Sequence, residues 1–223
     1  MNSAVNIIVE GQTERSFIKN TLAPYMSEKG IYLTASLLGK PGHKGGNVKF
    51  ERVKKDIGNF LKQRKDTYVS IMLDYFGIDS NWHGKAEADK EITAENKANV
   101  LEQETFNKIE ESFSEYNVKQ RFIPYFSMFE FEALLFSDVN VLAEKTGIGL
   151  SKLNKILEIY KDNPEEIDKE PEKAPGKRLV RLKPEYRKVI TGKVVAEKIG
   201  IEKIRKRCSH FNNWLKKLEA IKA

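Results

Sequence analysis

The chain has 223 residues, of which 40% are apolar and 10% aromatic, and this composition indicates a packed globular fold rather than a disordered chain. No stretch approaches the roughly 20 apolar residues of a membrane span, and residues 1–4 lack the pattern of a secretory signal. The single cysteine, Cys208, excludes an internal disulfide framework, so we expect a cytoplasmic protein without membrane contact.

The charge of the chain is unevenly distributed, although the net charge is +7. Residues 150–223 hold 20 Lys and Arg against 11 Asp and Glu, whereas residues 1–149 hold 19 against 21. A basic C-terminal part of this kind is typical either of a surface that contacts nucleic-acid phosphates or of a solvated lysine-rich surface.

Apolar runs and amphipathic segments alternate along the first 138 residues. The predicted strands comprise residues 5–9, 31–38, 68–73 and 121–126. Apolar residues recur at helical spacing within residues 18–26, 53–61 and 101–113. Thr13 is a candidate N-cap of the first helix, and residues 130–136 open a further one. Strands separated by helices predict βαβ units and a mainly parallel, Rossmann-like α/β sheet flanked by helices.

The strand signal ends after Asp138. Helices are predicted over residues 150–160, 193–206 and 210–218, with breaks at Gly192 and Gly200, and a charged, proline-bearing linker over residues 162–176. We therefore divide the chain into an α/β domain, residues 1–138, and a helical, basic C-terminal region, residues 139–223, that packs on it.

Acidic residues follow the predicted strands. Glu10 directly follows the first strand and Asp74 the third, while Glu130 and Glu132 come shortly after the fourth. Open parallel sheets bind ligands at the carboxyl ends of their strands, and acids that converge there repel each other unless a cation compensates them. The pattern favours Mg²⁺, which prefers oxygen ligands. Alternatively, these acids cap helices or face water, and the helix dipole alone favours Glu14 in its first helical turn.

The same residues resemble a known superfamily. Residues 9–14, Val-Glu-Gly-Gln-Thr-Glu, resemble the first motif of Toprim proteins, which include topoisomerase, primase and OLD-type nuclease domains. Four further segments resemble the narrower DUF4276 family: residues 72–77, 129–136, 174–179 and 210–215. The resemblance extends from Val5 to Leu218 and keeps these motifs in order.

The resemblance implies a Toprim-like fold and Mg²⁺- or Mn²⁺-dependent hydrolysis of phosphodiester bonds in DNA or RNA. Glu10 and Asp74 would be two of the catalytic, metal-binding acids. The Toprim Asp-x-Asp motif reads Asp-Tyr-Phe from residue 74, so the third ligand is Glu132, which lies in a family-like segment, or Asp79 after a short loop. Further candidate metal ligands are Glu130 and Glu14.

Basic residues in and after the family-like segment 174–179 are candidates to bind substrate phosphate. Lys177 and Arg178, with Arg181 close by, would pair with phosphate oxygens, although a solvated loop is the alternative. The glycine-rich residues 39–46 do not match the P-loop pattern and indicate either a surface turn or a loop that brings His43 and Lys44 to a phosphate. The three scattered histidines do not have the spacing of a zinc site.

The DUF4276 resemblance also implies a partner. Family members are often encoded beside an ABC-type AAA ATPase, so the chain would be the nuclease effector of an anti-phage defence system. A second hypothesis is a non-catalytic subunit that keeps the Toprim shape and docks on the ATPase through its helical C-terminal region. Simple nucleic-acid binding is a third hypothesis, favoured by the basic residues after position 150.

Overall fold

The structure, a computed structural model, describes residues 3–39, 47–167 and 170–221. Its central sheet contains the strands β1 (Ser3–Val9), β2 (Ile31–Leu37), β3 (Thr67–Asp74), β4 (Phe122–Ile123) and β5 (Phe126–Ser127). The strand order is β2-β1-β3-β4, β5 also pairs with β3, and each of these pairs is parallel. The prediction of an α/β fold with a mainly parallel sheet is confirmed.

The fourth predicted strand differs from expectation. Instead of one strand over residues 121–126, β4 and β5 are separated around Pro124, whose nitrogen has no hydrogen to donate to a sheet. Arg121 ends a short helix, and its guanidinium group donates to the carbonyl oxygens of Thr67 at 2.9 Å and Leu61 at 3.1 Å. Arg121 therefore anchors the start of β3 rather than opening a strand.

Helices connect the strands in the first part of the chain. They are α1 (Gln12–Phe17), α2 (Ala23–Ser27), α3 (Phe50–Gln63), α4 (Lys85–Lys90), α5 (Ala94–Phe113) and α6 (Val118–Arg121), with 3₁₀ turns at Ser114–Tyr116 and Phe131–Asp138. A π-helical turn, Ile18–Leu22, joins α1 to α2. The prediction that Thr13 caps the first helix is wrong, because α1 begins at Gln12 after Gly11 and Thr13 is buried within it.

The C-terminal part is helical, as predicted. It contains α7 (Val139–Thr146), α8 (Leu150–Ile159), α9 (Pro175–Leu182), α10 (Lys188–Ile199), α11 (Ile201–Arg207) and α12 (Ser209–Glu219), with 3₁₀ turns at Pro164–Glu166 and Pro171–Lys173. Gly200 separates α10 from α11, but Gly192 lies inside α10 and is not a break. The described part of residues 162–176 is not a plain linker, because Glu165, Ile167 and Ala174 are buried in it.

Apolar side chains pack on both faces of the sheet. Val5, Ile7 and Val9 point into one cluster with α1 and the C-terminal helices, whereas Ile8 points into a second cluster with α3 and α5. This alternation follows from the two-residue period of a strand, and it buries β1 on both faces.

The C-terminal helices share a core with the sheet. Phe211, Trp214 and Leu215 of α12 belong to the same cluster as β1, and Trp214 Nε1 donates a hydrogen bond of 3.0 Å to Ser70 Oγ on β3. The boundary between residues 138 and 139 stays a prediction. Among the described residues, no helix combines the length and apolar character that a membrane crossing requires.

Candidate functional site

Glu10 and Asp74 lie at the same edge of the sheet. β1 and β3 are parallel neighbours, and Val9 pairs with Met72, so Glu10, which follows β1, and Asp74, the last residue of β3, emerge side by side. Glu14 joins them from the first turn of α1. Parallel pairing of two buried strands therefore brings together acids that lie 64 positions apart in the sequence.

Two glycines leave room for these carboxyl groups. The Glu10 carboxyl group lies so close to Gly77 that a Cβ atom at position 77 would overlap its oxygens. A Cβ atom on Gly11 would lie 2.8 Å from Glu14 Oε2. The absence of a side chain at both positions lets acidic groups lie directly against the backbone.

Asp74 is held by the segment that follows β5. Its Oδ1 accepts a hydrogen bond of 2.9 Å from the backbone N–H of Phe131. Burial raises the pKa of Asp74 well above its ordinary value, and repulsion from Glu14, Glu10 and Glu132 raises it further. These side chains therefore form one electrostatically coupled group, which we call the carboxylate cluster: Glu10, Glu14, Asp74, Glu130 and Glu132.

Glu14 has the clearest electrostatic signature within the cluster. It is only 7% exposed, and burial together with repulsion from Glu132 and Glu10 raises its pKa to about 7. Burial also raises the pKa of Glu132, although the ammonium group of Lys188 opposes that change. Glu14, Asp74 and Glu132 thus retain their protons to a higher pH than isolated carboxyl groups, which lose them near pH 4.

Glu130 and Glu132 form the side of the cluster that contacts α9 and α10. Glu130 Oε2 accepts a hydrogen bond of 2.8 Å from the backbone N–H of Gly176, at the start of α9. Lys188, the first residue of α10, places its Nζ 3.5 Å from Glu130 Oε1 and 3.5 Å from Glu132 Oε2. Burial acts to lower the pKa of Lys188, but Glu132, Glu130 and Asp74 outweigh it and raise that pKa.

The donor chemistry of the cluster fits a hard divalent cation. Its oxygens are the ligands that Mg²⁺ and Mn²⁺ prefer, and Glu132 Oε1 is buried with no hydrogen-bond partner among the described residues. In the side-chain positions described, however, no three His, Cys, Asp or Glu residues are arranged closely enough to hold a metal ion. A metal would therefore require these carboxyl groups to move together.

The basic residues predicted to bind phosphate make other contacts in the structure. Lys177 Nζ lies 3.2 Å from Glu172 Oε1, and Arg181 donates to the Glu172 carbonyl oxygen at 2.7 Å. Arg178 donates to the Tyr160 hydroxyl at 3.3 Å. The cation that the structure brings to the carboxylates is Lys188, which the sequence did not single out.

Asp79 and several other residues contribute to local structure. Asp79 Oδ1 accepts a hydrogen bond of 2.8 Å from the backbone N–H of Asn81 and so stabilises the turn after Gly77. His83 packs edge-on against Phe50, with ring centroids 4.6 Å apart. Tyr75 is buried, and Phe76 stacks on Phe129. Cys208 is also buried, and His43 and Lys44 lie outside the described residues.

His210 belongs to a buried polar group under α12. Its Nε2 lies 3.0 Å from Glu102 Oε1, and its ring stacks on Tyr125. Glu165 accepts hydrogen bonds of 2.9 Å from the backbone N–H groups of His210 and Phe211, the second and third residues of α12. Glu165 therefore supplies the N-terminal cap of this helix from a distant segment.

Comparison with known proteins identifies one family. The family model described as "Domain of unknown function (DUF4276)" matches residues 9–219, which include every residue of the carboxylate cluster. No curated protein and no solved structure matches the chain.

Proposed function

The chain belongs to the DUF4276 family, and we propose that it is a Mg²⁺- or Mn²⁺-dependent hydrolase of phosphodiester bonds in DNA or RNA. One observation carries this proposal: acidic side chains from separate segments converge at the carboxyl edge of a parallel sheet and raise one another's pKa. Holding such acids together costs stability, and a site that binds a divalent cation explains why the fold accepts that cost.

Glu10, Glu14, Asp74 and Glu132 are the residues that would hold the cation. When bound, Mg²⁺ or Mn²⁺ supplies polarisation of a phosphate and a water of lowered pKa. The chain itself positions the ligands, since the Phe131 N–H fixes Asp74 and the missing side chain of Gly77 leaves space for Glu10.

A basic segment borders the acids and supports a nucleic-acid substrate. Residues 176–188 touch the cluster at both ends, through the Gly176 N–H on Glu130 and the Lys188 ammonium between Glu130 and Glu132. The basic side chains of this segment are Lys177, Arg178, Arg181, Lys183, Arg187 and Lys188. Phosphates that approach the cluster would meet these cations first.

A cleavage assay tests the proposal. Plasmid, single-stranded DNA and tRNA are incubated with the full chain in Mg²⁺ or Mn²⁺, alongside Glu10→Gln, Asp74→Asn and the control Glu158→Gln, which alters an exposed acid on α8. We expect both cluster variants to lose about 100-fold or more of the rate, whereas the control keeps it. Metal-dependent cleavage that persists unchanged in both cluster variants contradicts the proposal.

A second candidate function is that of a non-catalytic Toprim-like subunit of an ABC-type ATPase in an anti-phage system. One observation favours it: Phe76, where a Toprim Asp-x-Asp motif has its second aspartate, stacks on Phe129 with ring centroids 5.1 Å apart. An aromatic core contact thus replaces a metal ligand. This function predicts tight binding to an ATPase encoded beside the gene and a change in ATPase rate that Asp74→Asn leaves intact.

A further inference from the structure

Lys188 places an ammonium group against two acids of the cluster, Glu130 and Glu132. Its Nζ lies 3.5 Å from both Glu130 Oε1 and Glu132 Oε2, which are 14% and 2% exposed, while its own side chain is 41% exposed. The lysine thus reaches from the protein surface into a buried acidic group. At neutral pH it carries one positive charge against several carboxyl groups.

The contact is loose for a pair of this kind. Charge-assisted N–H···O bonds are typically about 2.7–2.9 Å long. Lys188 Nζ instead lies between two carboxylates, at 3.5 Å from each. Lys188 is the first residue of α10, and its ammonium group reaches the acids from the protein surface. Its side chain is 41% exposed, so solvent reaches part of it.

Two buried polar atoms beside Lys188 lack a hydrogen-bond partner among the described residues. They are Glu132 Oε1 and the Tyr186 hydroxyl, whose residues are 2% and 6% exposed. Glu132 and Glu130 both act electrostatically on Tyr186, which places that hydroxyl at the same acids. Buried polar groups normally have partners, so these atoms indicate that the cluster accommodates a ligand besides Lys188.

We propose that Lys188 is a built-in counter-ion of the carboxylate cluster and that a divalent cation binds by displacing its ammonium group. This inference rests on the proposed function, because it assigns the metal to the same acids. The Lys188 ammonium group and a divalent cation repel each other when both lie close to Glu132. Binding of the metal therefore replaces one positive charge beside this carboxylate by two. Lys188 then sets the metal affinity, and its departure frees a cation for the substrate phosphate.

Metal titration without substrate tests the inference. Mn²⁺ and Mg²⁺ binding to the full chain is measured by calorimetry for the wild type, Lys188→Met, which keeps the stem and removes the charge, and Lys188→Arg, which keeps the charge. Lys193→Met is the matched control, because Lys193 lies on α10 with similar exposure and pairs with Glu197 on the surface. We expect about tenfold tighter binding in Lys188→Met, and affinities near wild type in the other two variants.

The outcomes separate this inference from the proposed function. Equal or weaker metal binding in Lys188→Met overturns the displacement alone, while cleavage by the wild type still supports the function. Tighter binding without any cleavage supports the displacement and contradicts the function. If neither the wild type nor Lys188→Met binds a divalent cation, the displacement and the proposed function are both wrong. Should Lys188→Met fail to fold in EDTA, Lys188→Gln is titrated in its place with the same expected direction.

Discussion

The backbone N–H of Phe131 donates a hydrogen bond of 2.9 Å to Asp74 Oδ1. This bond ties the end of β3 to the segment that carries Glu130 and Glu132, so acids from distant parts of the sequence become neighbours. Burial and the surrounding carboxylates raise the pKa of Asp74, which means that its charged form is disfavoured in the folded chain. The packing of the core therefore holds the cluster together against its own repulsion.

Replacing Asp74 by asparagine is expected to stabilise the metal-free protein. The amide oxygen of Asn still accepts the Phe131 N–H, while the repelled negative charge is removed. At pH 8 in EDTA we expect Asp74→Asn to raise the free energy of unfolding by about 1–2 kcal/mol, measured by urea denaturation. Metal binding should weaken in the same variant, and a loss of stability at pH 8 would show that the charge is not repelled.

The stability of the metal-free protein should depend on Glu14 between pH 4.5 and pH 7. The unfolded carboxyl group loses its proton near 4.5, whereas burial and repulsion from Glu132 and Glu10 hold the folded one to about 7. In this window a folded chain holds the Glu14 proton that an unfolded chain has lost, so the contribution of Glu14 to stability is greatest at low pH and is lost as pH rises through about 7.

Glu14→Gln provides the comparison for that pH dependence. The difference in urea unfolding free energy between the variant and the wild type should grow in favour of the variant from pH 4.5 to pH 7, by about 1–3 kcal/mol. Groups outside the carboxylate cluster titrate equally in both proteins, so the difference reports Glu14 together with its effect on the pKa of Asp74. A difference that stays constant with pH contradicts a raised pKa at this residue.

Glu165 is expected to be one of the acids most important for stability. It is 2% exposed and accepts the backbone N–H groups of His210 and Phe211, which have no carbonyl partner within α12. Glu165→Ala leaves both donors buried and unsatisfied, so we expect a loss of about 2–4 kcal/mol in urea denaturation. Glu158→Ala, on an exposed position, should change stability by less than about 0.5 kcal/mol.

The position of Glu10 and Asp74 could be predicted because it depends on local sequence and one general rule. Each acid directly follows an apolar run, and neighbouring parallel strands end at the same edge of a sheet. The apolar runs predict both strands, because a strand that is buried on both faces has apolar side chains at successive positions. The sequence thus predicted the two acids that define the edge of the site.

Lys188 could not be predicted in the same way. It is one of 39 basic residues, and its approach to Glu132 depends on how α10 packs against the turn Phe131–Asp138. The interpretation of Gly192 as a helix break was wrong because the role of this glycine also depends on how α10 packs against other segments. In the folded chain it allows close packing of α10, because a Cβ atom there would lie 3.3 Å from the Tyr186 hydroxyl and 3.6 Å from Thr13 Cγ2.

The assignment of residues 162–176 to a linker shows the same limit of local patterns. Proline and a run of acids are typical of exposed segments, and Glu165 fits that pattern by sequence alone. Its burial follows from two backbone donors that α12 presents 45 and 46 positions later. The sequence around Glu165 therefore does not indicate its burial, because the groups that bind it belong to a distant helix.

Gly77 gives a test of the site that leaves all five acids in place. A Cβ atom at position 77 would overlap the Glu10 carboxyl group, which is the end of a flexible side chain and can turn away. We expect Gly77→Ala to fold with a change in unfolding free energy of less than about 1 kcal/mol, yet to lose about tenfold or more of both Mn²⁺ affinity and metal-dependent cleavage. Gly149→Ala is the matched control, because a Cβ atom there meets nothing within 4 Å and its φ of −58° suits alanine. Calorimetry and the cleavage assay on both variants decide the matter: unchanged metal affinity in Gly77→Ala would show that the Glu10 carboxyl group does not hold the cation from this position.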